Sequence, residues 1–327
     1  MKKKLAMLMI AVMTLTAAFG ITGCQKSDKG SSSSDKIGVL YLVENTAFED
    51  MKNGIVDELK ANGYDNLDVQ CAQGDATTLQ TIAQNMADGS YKAVFTVATP
   101  ATQAMVNQEC DTPTFFCAVS APLAAGVISD MDKPDKNATG TSNAIPVGDI
   151  FGFADKLTPG IKTWGFIYCT SEDNSVNTVK SAKEYCDQNK IPYEEVTVTN
   201  SSEVKQAAET LAGKVDGLFI PNDSVIQSAM TTVTEVARDK KIPVYGSSKA
   251  MVLSGAFATV AISDTKIGKL TAQMGLKYLK DGTAVKDIPS VVVPAEETVI
   301  NQNTLDALGV TVPDDIKNSA IIVNDAE

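Results

Sequence analysis

The chain has 327 residues, a formal net charge of −12 at pH 7 and no histidine. The acidic balance argues against a surface that binds nucleic acid or anionic membranes. The absence of histidine excludes His-based catalytic triads, zinc sites with histidine ligands and histidine proton switches. The chain that follows the leader is about twice the usual domain size, which favours two domains.

Residues 1–23 have the pattern of a lipoprotein signal peptide. MKKK is a positively charged start, LAMLMIAVMTLTAAFGI is an apolar segment, and ITGC ends at Cys24. We expect lipidation of Cys24, with residues 24–35 as a serine-rich, flexible tether. The alternative is an ordinary secretory signal in which Cys24 is incidental. No later segment has the ~18 apolar residues that a membrane span needs, so we expect an extracytoplasmic body held at the cell membrane by its lipid.

Strand and helix patterns alternate from residue 36. Short β-branched and aromatic runs predict strands at KIGVLYLV, LDVQCAQ, YKAVFTVAT and TPTFFCAV. Amphipathic helix patterns separate them at AFEDMKNGIVDELKANGY, TTLQTIAQNMADG and PATQAMVNQE. This β-α-β-α order predicts a parallel sheet covered by helices on both faces.

The alternation pauses at NATGTSNAIPVG and then begins again. Strands are predicted at KTWGFIYCT, YEEVTVTN, VDGLFIPND and PVYGSS, with helices between them. LFIPNDSVIQSAM (218–230) matches VFTVATPATQAM (94–105), and Gln227 lies over Gln103 at an offset of 227 − 103 = 124 residues. GFIYCT matches GVLYLV at a similar offset. We therefore predict two similar, doubly wound open parallel-sheet α/β lobes that arose by duplication.

After residue 256 the order breaks, which indicates that the chain crosses between the lobes again. The predicted N-terminal lobe is 36–141 plus about 265–285. The predicted C-terminal lobe is 142–264 plus about 286–320.

Polar residues at the predicted strand ends are the candidate ligand contacts. Open parallel α/β sheets bind ligands beyond the C-terminal ends of their strands, and two such lobes can close over a ligand about a hinge. The candidates are Glu44, Phe48, Thr99, Ser120, Ala121, Asn174, Asp223, Ser247 and Asp264.

These residues fit the two charged groups of an amino acid. Thr99 and Ser120 precede predicted helices, where free N–H groups and the helix dipole favour a carboxylate. The single arginine, Arg238, lies in a predicted helix away from any strand end. Asp223 would be desolvated by closure and needs a cation, which an α-ammonium group supplies; Asp264 is a second candidate. The alternative for each is a plain helix cap.

Catalytic and cofactor motifs are absent from the sequence. No GxGxxG opens a helix, and neither a GxxxxGK[ST] loop nor a GxSxG elbow occurs. We expect no enzymatic activity, no cofactor and no metal. Trp164 and Tyr41 are predicted core residues. The five internal cysteines are expected to be buried free thiols, with a Cys110–Cys117 pair left open.

Several stretches resemble one family. They include QGDATTLQTIAQ, ATPATQAM, TNSSEVKQAAETLAGKVDGLFIPNDS, ARDKKIPVYGSS and VINQNTLDALGVTVPDDI. The chain resembles, over residues 36–316, the substrate-binding lipoproteins of ABC transporters that include tryptophan- and tyrosine-associated uptake proteins. The resemblance implies a type I periplasmic-binding-protein fold with a three-segment hinge. It also implies capture of a small amino acid, often aromatic, for delivery to ABC permease subunits.

The residues after two predicted strands depart from the family's pattern. Members often have Thr-Asp-Pro where Ser120-Ala121-Pro122 stands, and Pro-Thr-Asp where Pro221-Asn222-Asp223 stands. The acid is kept while its neighbours differ. We expect a monomer that does not bind nucleic acid. Three alternatives stay open: a ligand sensor for a membrane receptor, an enzyme on the same fold, and a binding protein for a nucleoside or another neutral solute.

Overall fold

The structure is a computed structural model whose described residues are 36–326. The signal peptide at 1–23, the lipidation of Cys24 and the tether at 24–35 lie outside the described residues. Within residues 36–326, no helix is both long enough and apolar enough to cross a membrane.

Residues 36–142 alternate strand and helix, as the sequence predicts. Their elements are β1 (Ile37–Tyr41), α1 (Thr46–Ala61), β2 (Leu67–Cys71), α2 (Ala76–Met86), β3 (Ala93–Val97), α3 (Ala98–Val106), β4 (Thr114–Cys117) and β5 (Ala138–Ser142). β1 and β3 are buried along their whole length, because helices cover both faces of the sheet. The segment after Ser120, where the sequence predicts a helix, forms turns instead.

Residues 147–261 repeat this order. Their elements are α4 (Val147–Leu157), β6 (Trp164–Cys169), α5 (Asp173–Asn189), β7 (Tyr193–Val198), α6 (Val204–Ala212), β8 (Gly217–Ile220), α7 (Ser224–Ser228), α8 (Met230–Asp239), β9 (Val244–Gly246), α9 (Lys249–Leu253) and β10 (Ala258–Ala261). The last part of the chain adds α10 (Asp264–Asp281), β11 (Val291–Val292), β12 (Glu297–Asn301), α11 (Gln302–Leu308), α12 (Asp314–Ser319) and β13 (Ile321–Val323).

The two sheets have equivalent strand orders. One runs β11-β5-β4-β3-β1-β2 and the other β13-β12-β10-β9-β8-β6-β7. Each of β1–β5 has a counterpart five strands later, and the pairing within each set is parallel. β12 is the exception, because it pairs antiparallel with β10. The prediction of two similar α/β lobes of the type I periplasmic-binding-protein fold is confirmed.

Three short segments connect the lobes. They are residues 143–146, 262–263 and 293–296, which lie between elements of different sheets. The lobe division expected from the sequence assigns residues from about 286 to the second lobe. β11 differs from that division, since Val291 and Val292 pair with Thr141 and Ser142 at the edge of the first sheet. The chain thus leaves the first lobe only after residue 292.

Glycines allow α1 and α10 to pack at close range. A Cβ atom on Gly54 would lie 2.3 Å from the carbonyl oxygen of Thr265, and one on Gly268 would lie 2.1 Å from that of Met51. Side chains larger than hydrogen therefore do not fit at either contact. Both helices start at the cleft between the lobes, and Asp264 is the first residue of α10. This close packing fixes Met51 and Asp264 relative to each other.

The predicted core residues are buried. Trp164 is 1% exposed and stacks on Phe151 with ring centroids 4.4 Å apart. Tyr41 is buried in the core of the first lobe. Among the described residues the five cysteines are free thiols, so Cys110 and Cys117 are not paired.

Candidate functional site

A cavity lies between the two lobes, at the C-terminal ends of their strands. We call it the first cavity. Its apolar wall belongs to the first lobe and consists of Ala47, Phe48, Met51, Ala98 and Ala118. Polar residues from both lobes complete the lining, among them Thr99, Ser120, Asn143, Glu172, Asn174 and Asp223. An apolar wall with a few converging polar groups is the usual form of a small-molecule site.

Thr99 presents an unpaired hydroxyl at the start of α3. It is 1% exposed, and its Oγ1 has no hydrogen-bond partner among the described residues. α3 begins directly after β3, and no side chain of the described residues caps it. The first N–H groups of this helix therefore lack a side-chain acceptor. Ala98, the residue before Thr99, has a φ of 68°. Such left-handed backbone at a residue other than glycine is uncommon and is concentrated at functional sites.

Ser120 also lines the first cavity, but it is not at a helix N-terminus. Its hydroxyl donates to Asn143 Oδ1 at 3.0 Å. The turns that follow it supply no helix dipole, so the sequence-based reason for a carboxylate at Ser120 does not apply. Its hydroxyl oxygen remains a neutral polar group on the same wall as Thr99.

Asp223 lies opposite this wall and is 2% exposed. Its Oδ2 accepts the N–H of Cys169 at 2.7 Å, and its Oδ1 accepts the N–H of Ile226 at 3.0 Å. The carboxylate therefore caps α7 and ties it to the end of β6, as well as lining the first cavity. Burial raises the pKa of Asp223 above its usual range.

Glu172 is a second buried carboxylate beside Asp223, and the sequence analysis did not select it. It is 5% exposed. It accepts the N–H of Ser224 at 3.1 Å, the hydroxyl of the same serine, and Asn174 Nδ2 at 3.4 Å. Burial, and then the negative charge of Asp223, raise the pKa of Glu172 from 4.5 to about 7. Two acids thus share one side of the first cavity.

Neither acid has a cationic partner within residues 36–326. The lysines and the arginine that form ion pairs there bind other carboxylates. Arg238 holds Asp325 through two nitrogens, at 2.7 and 2.6 Å, and does not line the cavity. Buried charges are normally paired. Within the described residues, the side of the first cavity formed by Glu172 and Asp223 therefore has no neighbouring cationic side chain.

Two asparagines add unpaired carbonyl oxygens near these acids. Asn174 Oδ1 and Asn222 Oδ1 are buried without a hydrogen-bond partner among the described residues. Asn174 is oriented by its Nδ2, which donates to the carbonyl oxygen of Asn222 at 2.5 Å. Buried polar atoms nearly always have partners, so these oxygens are acceptors available to a ligand with N–H donors.

Four of the other predicted site residues lie outside the first cavity, and the fifth, Phe48, lines it. Glu44 is exposed, and its Oε1 accepts a hydrogen bond from Gln73 Nε2 at 3.3 Å. Ala121 is half-buried beside Ser120 but does not line the first cavity. Ser247 and Asp264 line a second cavity. Phe48 is on the apolar wall of the first.

The second cavity adjoins the first. Met51, Asn143, Asn222 and Ser248 line both. It lies beside the three segments that connect the lobes, since Ile145, Ile262 and Ala295 belong to its lining. The two cavities therefore share a wall.

Two hydrogen bonds cross the cleft between the lobes. Gln103 Nε2 donates to Asp173 Oδ2 at 2.7 Å, and Gln227 Nε2 donates to Asn45 Oδ1 at 3.4 Å. Each joins one lobe to the other, and Gln227 also lines the first cavity.

Comparisons with known proteins agree with this geometry. The family model of ABC transporter substrate binding proteins matches residues 36–324. A tyrosine-binding protein from Clostridioides difficile (strain R20291) is 34% identical over 322 residues, which cover 94% of this chain and 92% of the relative.

Two solved structures differ in how well they superpose. The ABC domain in complex with L-Trp from Streptococcus pneumonia is 30% identical, with a TM-score of 0.85 over 88% of this chain and 99% of that one. The ligand-free, open structure of a substrate binding protein with adhesive properties from Clostridium difficile is 35% identical, with a TM-score of 0.69 over 89% and 99%. This chain therefore superposes better on the complex than on the open protein. The chain belongs to the ABC transporter substrate binding proteins.

Proposed function

We propose that this substrate-binding protein captures an aromatic amino acid in the first cavity and delivers it to the permease subunits of an ABC importer. The observation that carries the proposal is the pair of buried carboxylates, Glu172 and Asp223, which face a cavity without a protein cation among the described residues. The α-ammonium group of an amino acid is a cation of the right size and charge for this position.

The ammonium group lies between Glu172 and the Asn174 and Asn222 carbonyls in this proposal. Two like charges in a water-poor cavity repel each other, which favours protonation of one of them. A cation placed beside them removes that repulsion and supplies hydrogen-bond donors. The protein orients both acids, since Asp223 accepts two backbone N–H groups and Glu172 accepts hydrogen bonds from Ser224 and Asn174. Both carboxylates therefore act on the ammonium group through their charge.

The carboxylate of the amino acid lies at the start of α3. Thr99 Oγ1 and the uncapped helix N-terminus donate to it, and Ser120 lies on the same wall. Helix N-termini bind carboxylates without a basic side chain. The acidic and basic ends of one ligand thus contact different lobes, so binding itself favours closure.

The ligand side chain contacts the apolar wall. Phe48 and Met51 from α1 supply an aromatic ring and a flexible thioether at this wall, and both pack well against aromatic rings. The names of the two relatives, a tyrosine-binding protein and a complex with L-Trp, support an aromatic side chain here.

The test is calorimetric titration of the purified full chain with tyrosine, tryptophan, phenylalanine, nucleosides and sugars. At least one aromatic amino acid should bind, and its des-amino analogue should bind much more weakly. Glu172→Gln should weaken the amino acid by roughly tenfold or more, as expected for a charged hydrogen bond. It should change the affinity of the des-amino analogue far less.

Glu184→Gln is the matched control, because Glu184 is an exposed acid on α5 of the same lobe. It should leave the affinity unchanged. Binding of a nucleoside or a sugar with no response to any amino acid would reject the proposal and leave only the family assignment.

The location and the anchor belong to the same proposal. We place the mature body outside the cytoplasm as a monomer that performs no catalysis, held at the membrane by a lipid on Cys24. Cys24→Ala should release the protein into the soluble fraction and abolish labelling by a fatty-acid probe. Labelling that survives the substitution would contradict the assignment of Cys24.

A further inference from the structure

The second cavity has the character of a side-chain subsite. Its walls are largely apolar, with Ile145, Val260, Ile262 and Ile267 among them. One ionisable residue lines it, Asp264. The first cavity, in contrast, has two acids. A largely apolar chamber with one acid and a few neutral polar groups suits a neutral aromatic ring that ends in a hydrogen-bond donor.

Asp264 is held in this chamber by the fold and not by a partner. It is the first residue of α10, and the close packing of Gly268 against Met51 sets the position of that helix. No hydrogen bond to its carboxyl group is formed by the described residues, and the nearest charges are Asp50, Glu297 and Lys249. Burial and the two neighbouring acids raise the pKa of Asp264 to about 8.

We infer that the second cavity receives the far end of the ligand side chain and that Asp264 accepts a hydrogen bond from a phenolic hydroxyl there. This inference rests on the proposed function, because it assumes that the amino-acid end of the ligand lies in the first cavity. Residues shared by the two cavities, Met51 and Asn143, then flank the ring. Asp264 becomes the residue that distinguishes tyrosine from phenylalanine.

A cationic side chain is the competing occupant. A buried ammonium needs an ionised partner to offset its desolvation. Among the described residues, the only acid that lines the second cavity is Asp264, whose raised pKa of about 8 keeps it largely neutral at pH 7. The polar side chains beside it are neutral and belong to Asn143, Asn222, Ser247 and Ser248. A phenol needs a single acceptor and buries its ring against the apolar walls. The lining therefore favours the phenol.

The experiment is calorimetric titration of the full chain and its Asp264→Ala variant with tyrosine, phenylalanine, tryptophan and lysine. The unaltered protein should bind tyrosine about tenfold or more tighter than phenylalanine, because a site built around a hydroxyl rejects the analogue that lacks it. In Asp264→Ala this preference should fall to about threefold or less, with the phenylalanine affinity little changed. Asp264→Leu, which keeps a side chain branched at Cγ, should give the same result if the alanine variant folds poorly.

Asp50→Asn is the matched control. Asp50 is an exposed acid near Asp264 that does not line the second cavity. This variant should keep the preference for tyrosine.

Each contrary outcome overturns the inference in a recognisable way. Equal binding of tyrosine and phenylalanine by the unaltered protein, or a preference that survives in both Asp264 variants, removes the hydroxyl subsite but leaves the proposed function. An Asp264-dependent preference for tryptophan or lysine assigns the donor to an indole N–H or an ammonium and rejects the phenol. Binding of none of these amino acids rejects the proposed function itself.

Discussion

Gln103 and Gln227 occupy equivalent positions in the two lobes, and each donates a hydrogen bond to the opposite lobe. Gln103 lies on the helix after β3 and bonds to Asp173, the first residue of the helix after β6. Gln227 lies on the helix after β8 and bonds to Asn45, the cap of the helix after β1. Since β1 corresponds to β6 and β3 to β8, the same contact is made twice around the pseudo-twofold axis of the molecule.

These glutamines should contribute to ligand affinity without touching the ligand's charged groups. Gln103 Nε2 also donates to the carbonyl oxygen of Ala125 in its own lobe at 3.0 Å, a contact that does not depend on closure. Removing the hydrogen bond that exists only when the lobes meet destabilises the closed form by about 0.5–1.5 kcal/mol. Gln103→Ala should therefore weaken binding roughly two- to tenfold, with a faster dissociation rate in stopped-flow measurements. Gln227→Ala should also weaken binding. Because Gln227 lines the first cavity, this variant changes the ligand's surroundings as well as the contact between the lobes.

Gln108→Ala is the control for this pair. Its Nε2 donates to the carbonyl oxygen of Ala104 in the same stretch of chain and bridges no lobes. Gln103→Ala with unaltered affinity and dissociation rate would show that the cross-cleft bond does not hold the closed form.

The free protein should lose stability as the pH rises from about 5 to 8. The pKa of Glu172 is raised from 4.5 to about 7, and that of Asp264 from 3.8 to about 8. Between the lower and upper values the folded chain binds more protons than the unfolded chain, so the free energy of unfolding falls with pH. For Glu172 the effect is on the order of 3 kcal/mol.

Differential scanning calorimetry of the ligand-free full chain measures this dependence. The Glu172→Gln variant should lose the part of the slope between about pH 5 and 7, while Glu184→Gln should retain it. If the free energy of unfolding of the unaltered protein rose with pH across this range, the pKa of Glu172 would not be raised by burial, and the prediction would be wrong.

Ligand affinity should follow the opposite trend with pH. The α-ammonium group is attracted by the ionised form of Glu172 and gains little from the protonated form. The affinity for tyrosine should therefore be lower at pH 5 than at pH 8 by roughly a factor of ten or more, since each pKa unit of linkage is a factor of ten. Titration calorimetry at several pH values tests this, with the Glu172→Gln variant as the reference. An affinity that is the same at both ends would exclude a charge contact with Glu172.

Gly268→Ala should destabilise the protein by about 1–3 kcal/mol, the usual effect of an overpacked contact. Its Cβ would overlap the Met51 carbonyl oxygen, and α1 and α10 would have to separate. Chemical denaturation monitored by circular dichroism measures the loss. Gly152→Ala in α4 is the matched control, because a Cβ atom added to Gly152 would meet no other atom within 4 Å.

The control should stabilise the protein slightly, by about 0.5–1 kcal/mol, as alanine does in an open helix position. If Gly268→Ala were as stable as this control, the two helices would not be held together by their glycine contacts.

The repeated lobes could be predicted from the sequence because the strands are short, apolar and evenly spaced. The rule that ligands bind beyond the C-terminal ends of parallel strands also selected Thr99, Asn174 and Asp223, which line the first cavity. Both predictions depend on local pattern and on the geometry of parallel sheets, which strand order fixes.

Glu172 escaped prediction because its burial is a tertiary property. In the sequence SEDNS it is one acid among polar residues, which is typical of a solvated loop. The signal in the sequence is its position three residues after Cys169, the last residue of β6. Similarly, APLAA after Ser120 has good helix formers but folds into turns, because Pro122 and the return to β5 determine the path there.

The crossing of the chain near residue 290 was hidden for a different reason. β11 has two residues, Val291 and Val292, and both are exposed at a sheet edge. So short a strand has no period that could assign it to one lobe. Its place is decided by pairing with β5, which only the folded lobes bring within reach.

Glu172 and Asp223 also affect the free energy of closing the cleft. Closing the cleft without a ligand removes water from two neighbouring carboxylates of the second lobe, and that raises the free energy of the empty closed form. With an ammonium group inside, the same movement gains attraction. The conformation of the protein therefore depends on whether a ligand is bound. A permease that recognises the closed conformation would bind mostly ligand-loaded protein and little of the empty form.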